Sequence, residues 1–111
     1  MTKGNDLGRP IEILLVEDSP TDARLTIEAM RANGLKNNIH HVEDGEAAMK
    51  YLRRQGEFAD VMRPDLVLLD LNLPRKDGRE VLADIRNDPE LKWLLVVVLT
   101  TSKDEGDVMT A

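Results

Sequence analysis

Between Pro64 and Pro74 the chain reads Asp65-Leu66-Val67-Leu68-Leu69-Asp70-Leu71-Asn72-Leu73, with four consecutive apolar residues running straight into a carboxylate. An apolar run this short, bracketed by prolines, reads as a strand buried on both faces, and such strands belong to parallel sheets covered by helices. Asp70 then sits at the C-terminal end of the strand, where open parallel sheets place their ligand sites. Burying a charge there costs several kcal/mol unless something compensates it. An acid in that position points to chemistry.

The rest of the chain alternates strand and helix. Ile11 to Val16 forms the first strand. Ser19 then caps a helix, with Pro20 at its first position and Asp22 completing a capping-box-like pair. Ala23, Ile27 and Met30 share one face of that helix, and Gly34 suits the left-handed position after it. Residues 38–42 read as a second strand. Asp44-Gly45 turns the chain into a helix through Ala48, Met49, Tyr51 and Leu52 that ends near Gly56. After the third strand a helix follows Gly78, with Val81, Leu82 and Ile85 inward, and stops before Asp88-Pro89. Residues 94–99 form a fourth apolar strand ending at Thr100, and a further helix begins near Asp104. Met30 and Met49 belong to the core, Phe58 and Trp93 read as packing anchors, and Lys50, Arg53 and Arg54 form a solvated helix face. His40 and His41 are adjacent in a strand and so face opposite sides, which makes them structural or exposed rather than paired metal ligands.

This pattern implies an α/β domain whose parallel sheet is built by right-handed crossovers. With 111 residues the chain is one domain, residues 10–111, preceded by a loose polar arm over residues 1–9. The net charge of −6 argues against nonspecific nucleic-acid binding and against anionic membrane surfaces. The absence of cysteine excludes disulfides and thiolate catalysis. No apolar run approaches a membrane span and no secretory signal opens the chain, so the cytoplasm is the expected compartment.

In such a sheet the ends of the first, third and fourth strands converge on one edge. They bring Glu17, Asp18, Asp70 and Thr100 together. Crowded carboxylates repel, and a hard divalent cation relieves the repulsion. Mg²⁺ prefers oxygen ligands and commonly takes one or two carboxylates plus a phosphate. Asp18 and Asp70 fit as direct ligands, Glu17 through a water, and Asn72 through its backbone carbonyl. Asp70 then has the setting of a nucleophile toward phosphorus, with Thr100 placed to hydrogen-bond a phosphoryl oxygen and an aspartyl phosphate as product. Lys76 lies beside this edge as an exposed loop lysine, near where a phosphodonor would arrive. Singly, each of these residues reads as a turn former or a helix cap; it is the set that carries weight.

Leu15-Val16-Glu17-Asp18, the segment from Leu68 through Asn72 and Pro74 to Gly78, and Leu99-Thr100-Thr101 together resemble the receiver domain of two-component response regulators. The resemblance covers residues 11–103, and Glu-Asp-Ser-Pro, Leu-Asn-Leu-Pro and Leu-Thr-Thr-Ser look most like stand-alone receivers associated with phytochromes. It implies a doubly wound, flavodoxin-like receiver fold. It also implies a phosphoryl group passed to Asp70 from the phosphohistidine of a histidine kinase, Mg²⁺ held by the acidic pair Glu17 and Asp18, and Thr100 as the switch hydroxyl. Such a protein signals to a protein partner by changing shape and is not an enzyme in the ordinary sense.

The family pattern also includes a fifth strand with a buried Lys, a Pro after it, an aromatic switch residue and a fifth helix, and the sequence stops before them; Lys103 lies too near Thr100 to substitute. Two expectations follow. The fourth strand becomes an open apolar edge, suited to a longer receiver or to a homodimer or element-swapped dimer. A pseudo-receiver scaffold without effective phosphotransfer becomes the alternative function. A haloacid-dehalogenase-type phosphatase ranks last, because that class wants a second Asp where this chain has Asn72.

Overall fold

A computed structural model describes residues 9–34 and 36–99. Four strands, β1 (Ile11–Val16), β2 (Asn37–Val42), β3 (Leu66–Asp70) and β4 (Leu95–Leu99), form one sheet in the order β2-β1-β3-β4. Every neighbouring pair is parallel. Three helices connect them: α1 (Pro20–Ala32), α2 (Gly45–Leu52) and α3 (Gly78–Asn87). The α/β alternation expected from the sequence is present, with strand bounds shifted by a single residue at β2 and β4. Thr100, Lys103 and the helix expected near Asp104 lie outside the described residues, as do residues 1–8 of the N-terminal arm.

The two faces of the sheet explain the apolar runs. Leu14, Val16, Val67 and Leu69 point to one side and pack with Met49, Leu52, Val81 and Ile85 of α2 and α3. Ile13, Leu15 and Leu68 point to the other side, onto Ala23 of α1 with Ile27 and Met30 packed against them. A strand covered on both faces has no polar side to alternate, so β1 and β3 are nearly all buried.

Local chemistry sets the ends of the helices. Ser19 accepts from the Asp22 amide and caps α1, with Pro20 at its start. Gly34, at φ 85°, takes the left-handed position after α1. Asp77 and Glu80 close a reciprocal capping box at α3. Helix α2 ends earlier than the sequence reading, at Leu52 rather than near Gly56. Arg54 adopts φ 55°, its N–H bonds to the Tyr51 carbonyl and the Gln55 N–H to the Lys50 carbonyl, which is a Schellman ending with arginine where glycine is usual. Gly56 instead starts a short 3₁₀ turn to Phe58, whose ring lies 5.2 Å from that of Tyr51.

Trp93 is a second correction: it is 68% exposed and is no packing anchor among the described residues. The turn between α3 and β4 buries Leu91 and Leu94, three residues apart, and that spacing turns Trp93 outward. The outer edge of β4 pairs with no strand among the described residues. Leu95, Val97 and Val98 are exposed along it, as the sequence reading expects of an open apolar edge.

At the opposite end of the sheet, Asp65 joins the starts of β1 and β3. Its carboxylate accepts from the Glu12 amide at 2.9 Å, its own N–H donates to the Glu12 carbonyl at 2.7 Å, and Arg9 pairs with it at 3.2 Å. The Glu12 amide, followed by Arg9, holds the Asp65 carboxyl below its ordinary value of 3.8. A lowered carboxyl stabilises the fold above its unfolded pKa and ceases to do so as pH falls through the folded one. In urea unfolding, Asp65→Ala therefore lowers the midpoint at neutral pH, and the gap from wild type closes on acidification below pH 3.8.

Candidate phosphoacceptor and metal site

The carboxyl ends of β1 and β3 lie side by side, with Val16 registered on Leu69. Asp70 is the last residue of β3 and has no exposure; Glu17, the first residue past β1, is 1% exposed. Asp18 follows, half-buried. One carboxylate oxygen from each of Glu17, Asp18 and Asp70 lies within 4.8 Å of the other two. The structure thus brings together the three acids that the sequence placed at this edge.

Two of the acids are held by their own loops. The Asp70 carboxylate accepts from the Asn72 N–H at 3.0 Å, and the Glu17 carboxylate accepts from the Ser19 N–H at 3.0 Å. Backbone amides that donate to a buried carboxylate offset part of the cost of its burial. The Glu17 N–H also reaches the Val42 carbonyl at 3.0 Å, extending the β1–β2 ladder one residue into the loop. His41 contributes in a way the sequence reading did not foresee: its Nε2 lies 2.6 Å from the Glu17 carbonyl oxygen. His40 faces the other way, with Nε2 3.0 Å from the buried Glu12 carboxylate, so the two histidines do point to opposite sides.

The loop after Asp70 is tightly seated. A Cβ on Gly78 would strike the Asp70 backbone oxygen and lie 2.6 Å from Leu71 Cα, and a Cβ on Gly45 would strike the Lys76 backbone. Both glycines are therefore fixed by close approach rather than by unusual φ. Arg75 adopts φ 66° and points its Nε to within 3.6 Å of Asp44, the cap of α2. Lys76 is half-buried rather than an exposed loop lysine: its Nζ sits 2.7 Å from Asp84 of α3, a hydrogen bond that raises its pKa above the ordinary value. That partner holds the ammonium against the loop, a role that needs no phosphodonor.

All three donors in the acid cluster are hard oxygens, the chemistry that suits Mg²⁺. Mg–O bonds of about 2.0–2.1 Å place coordinated oxygens roughly 3–4 Å apart. Oxygens spread over 4.8 Å reach that spacing by a small side-chain rotation, or with one of them acting through water. Asn72 stands in the same loop through its amide contact to Asp70. Thr100 lies outside the described residues; its neighbour Leu99 is registered on Asp70.

A parallel sheet in the order β2-β1-β3-β4 with acids at the ends of its two central strands is the architecture of a receiver-type domain. The family model for the response regulator receiver domain matches residues 13–111, and the chain belongs to that family of two-component signalling proteins. Over 102 residues it is 52% identical to the response regulator Rcp1 of Synechocystis sp., covering 92% of this chain and 69% of that protein. The phosphorylated cyanobacterial phytochrome response regulator RcpA superposes with a TM-score of 0.80 at 52% identity, covering 91% of this chain and 72% of that one. The Mn²⁺-bound form of Rcp1 gives 0.80 at 53% identity, over 90% and 72%. Among the described residues no helix is long and apolar enough to cross a membrane.

Gly78→Ala tests how closely the loop seats on Asp70. The added methyl collides with backbone at Asp70 and Leu71, so the variant loses about 1–3 kcal/mol in chemical denaturation, the usual range for overpacking.

Proposed function

We propose that this receiver accepts a phosphoryl group on Asp70 from the phosphohistidine of a histidine kinase and passes the signal to a protein partner by a change of shape. The convergence of Glu17, Asp18 and Asp70 within 4.8 Å at the end of a parallel sheet is the observation that carries this reading. In the transfer an Asp70 carboxylate oxygen attacks phosphorus, an O–P bond forms, the N–P bond to the donor imidazole breaks, and the imidazole leaves with the electron pair. Glu17, Asp18 and Asp70, with the Asn72 backbone carbonyl, are the residues suited to hold Mg²⁺. Bound there, the ion supplies charge neutralisation for the carboxylates and for the transferring oxygens. The Asn72 N–H steadies the attacking carboxylate, and Thr100 is the hydroxyl expected to meet the phosphoryl group.

Similarity to a phosphorylated phytochrome response regulator and to a Mn²⁺-bound one supports both the phosphoacceptor role and the divalent cation. It also supports a phytochrome-type histidine kinase as the donor and the cytoplasm as the place of action. The exposed apolar edge of β4 supports self-association through that strand. Light scattering at high concentration is then expected to give a dimer mass, and a monodisperse monomer would count against the pairing.

Incubation with Mg²⁺ and acetyl phosphate, followed by intact-mass measurement, tests the central reading. A single phosphoryl adduct that disappears in Asp70→Asn and on chelation of the metal is the expected result. Wild type without an adduct under these conditions overturns it. Mg²⁺ at one hundred times its dissociation constant should also stabilise the fold by about 2.7 kcal/mol, and Asp18→Asn should abolish that gain.

A further inference from the structure

We propose that His41 is a positioning residue for the acid cluster: by donating its Nε2–H to the Glu17 carbonyl, it fixes the peptide plane that joins Glu17 to Asp18. The inference rests on the reading of Glu17, Asp18 and Asp70 as a Mg²⁺ cradle and adds to it a residue from β2, a strand that contributes no acid to the cluster.

Glu17 and Asp18 share one rigid peptide unit. Rotation of that plane, through ψ of Glu17 and φ of Asp18, moves Asp18 relative to the buried carboxylates of Glu17 and Asp70. The β1–β2 register ends at Val16 opposite Val42, so the Glu17 carbonyl is the first one past the strand. Three of its contacts define its setting. Its N–H donates to the Val42 carbonyl at 3.0 Å, its carboxylate accepts from the Ser19 N–H at 3.0 Å, and its carbonyl oxygen lies 2.6 Å from His41 Nε2. The first contact fixes where the residue starts and the second fixes its side chain. The His41 bond is made to the peptide plane that leads on to Asp18.

A carbonyl oxygen can only accept, so His41 must present Nε2–H to it. The ring does this as the neutral ε tautomer and as imidazolium alike, so the device is a geometric clamp and not a proton switch. The strand places it well. His41 is registered on Leu15, whose side chain faces α1, and so it rises on the same side as the β1–α1 loop. It also lines the groove beside Pro20 and Ala23 at the start of α1. His40, on the opposite face, serves Glu12 instead.

His41 is exposed, and water competes for both partners, so the effect is graded rather than absolute. Titration calorimetry with MgCl₂ on wild type, His41→Phe, His41→Gln and Asp18→Asn tests it, with the Mg²⁺ dependence of acetyl phosphate labelling measured beside it. Phe keeps a ring and removes the donor; Gln keeps an N–H at similar reach. His41→Phe should weaken Mg²⁺ binding roughly three- to tenfold. The Mg²⁺ concentration for half-maximal labelling should rise by the same factor, with the labelling rate at saturating Mg²⁺ preserved. His41→Gln should stay within about twofold of wild type. Phe matching wild type, or Gln falling as far as Phe, overturns the clamp while the cradle stands. Wild type that binds no Mg²⁺, or Asp18→Asn that binds as wild type does, overturns the cradle and the clamp with it.

Discussion

Two carboxylates, Asp70 and Glu17, are almost wholly withdrawn from water at the ends of adjacent strands, with Asp18 beside them. Like charges in so small a space repel, and each loses hydration that water would have supplied. The surrounding structure is arranged around that liability. Loop amides of Asn72 and Ser19 donate to the two buried groups, and the flanking loops are pinned where they leave the sheet. The apolar faces of β1 and β3 make the sheet stiff enough to hold the acids in register. A fold stabilised mainly by its two layers of aliphatic packing can tolerate an electrostatic cost at one edge.

The connections from strand to helix transmit position outward. Asp70 ends β3, its loop runs over the Gly78 amide and the Gly45 backbone, and Asp77 then caps α3. Arg75 ties the same loop to the cap of α2, and Lys76 ties it to Asp84 of α3. Asp70 therefore lies one short loop away from two helix starts. The Asn72 amide that donates to Asp70 belongs to this same seated loop, so the Asp70 carboxylate is tied through it to the starts of α2 and α3.

Much of this was legible in the residues themselves. Unbroken aliphatic runs gave β1 and β3 because strands buried on both faces carry no alternation, and Ser19-Pro20 marked the start of α1 with ordinary capping chemistry. The gathering of Glu17, Asp18 and Asp70 followed from parallel topology alone, since strand ends in such a sheet share one edge. The misses have physical reasons. The end of α2 was hidden because Arg54 occupies the left-handed position that glycine signals elsewhere. Trp93 was misplaced because Leu91 and Leu94 compete for the same core and win by spacing. Lys76 was read by its own loop, whereas its partner Asp84 lies on the following helix, at a distance only the fold closes.

His41 shows the same limit from the other side. The alternation of a strand correctly sent it and His40 to opposite faces, but alternation is blind to what each face meets. One imidazole arrives at a buried carboxylate near the start of β1 and the other at a carbonyl just past its end. The difference comes from the one-residue step along β2 combined with the turn of the chain out of β1. A side chain that bonds to a backbone carbonyl leaves no motif in a sequence, because any donor of the right length can fill the place. Acid clusters at strand ends are therefore readable from a sequence, while the donors that meet the backbone of their loops become visible only in the fold.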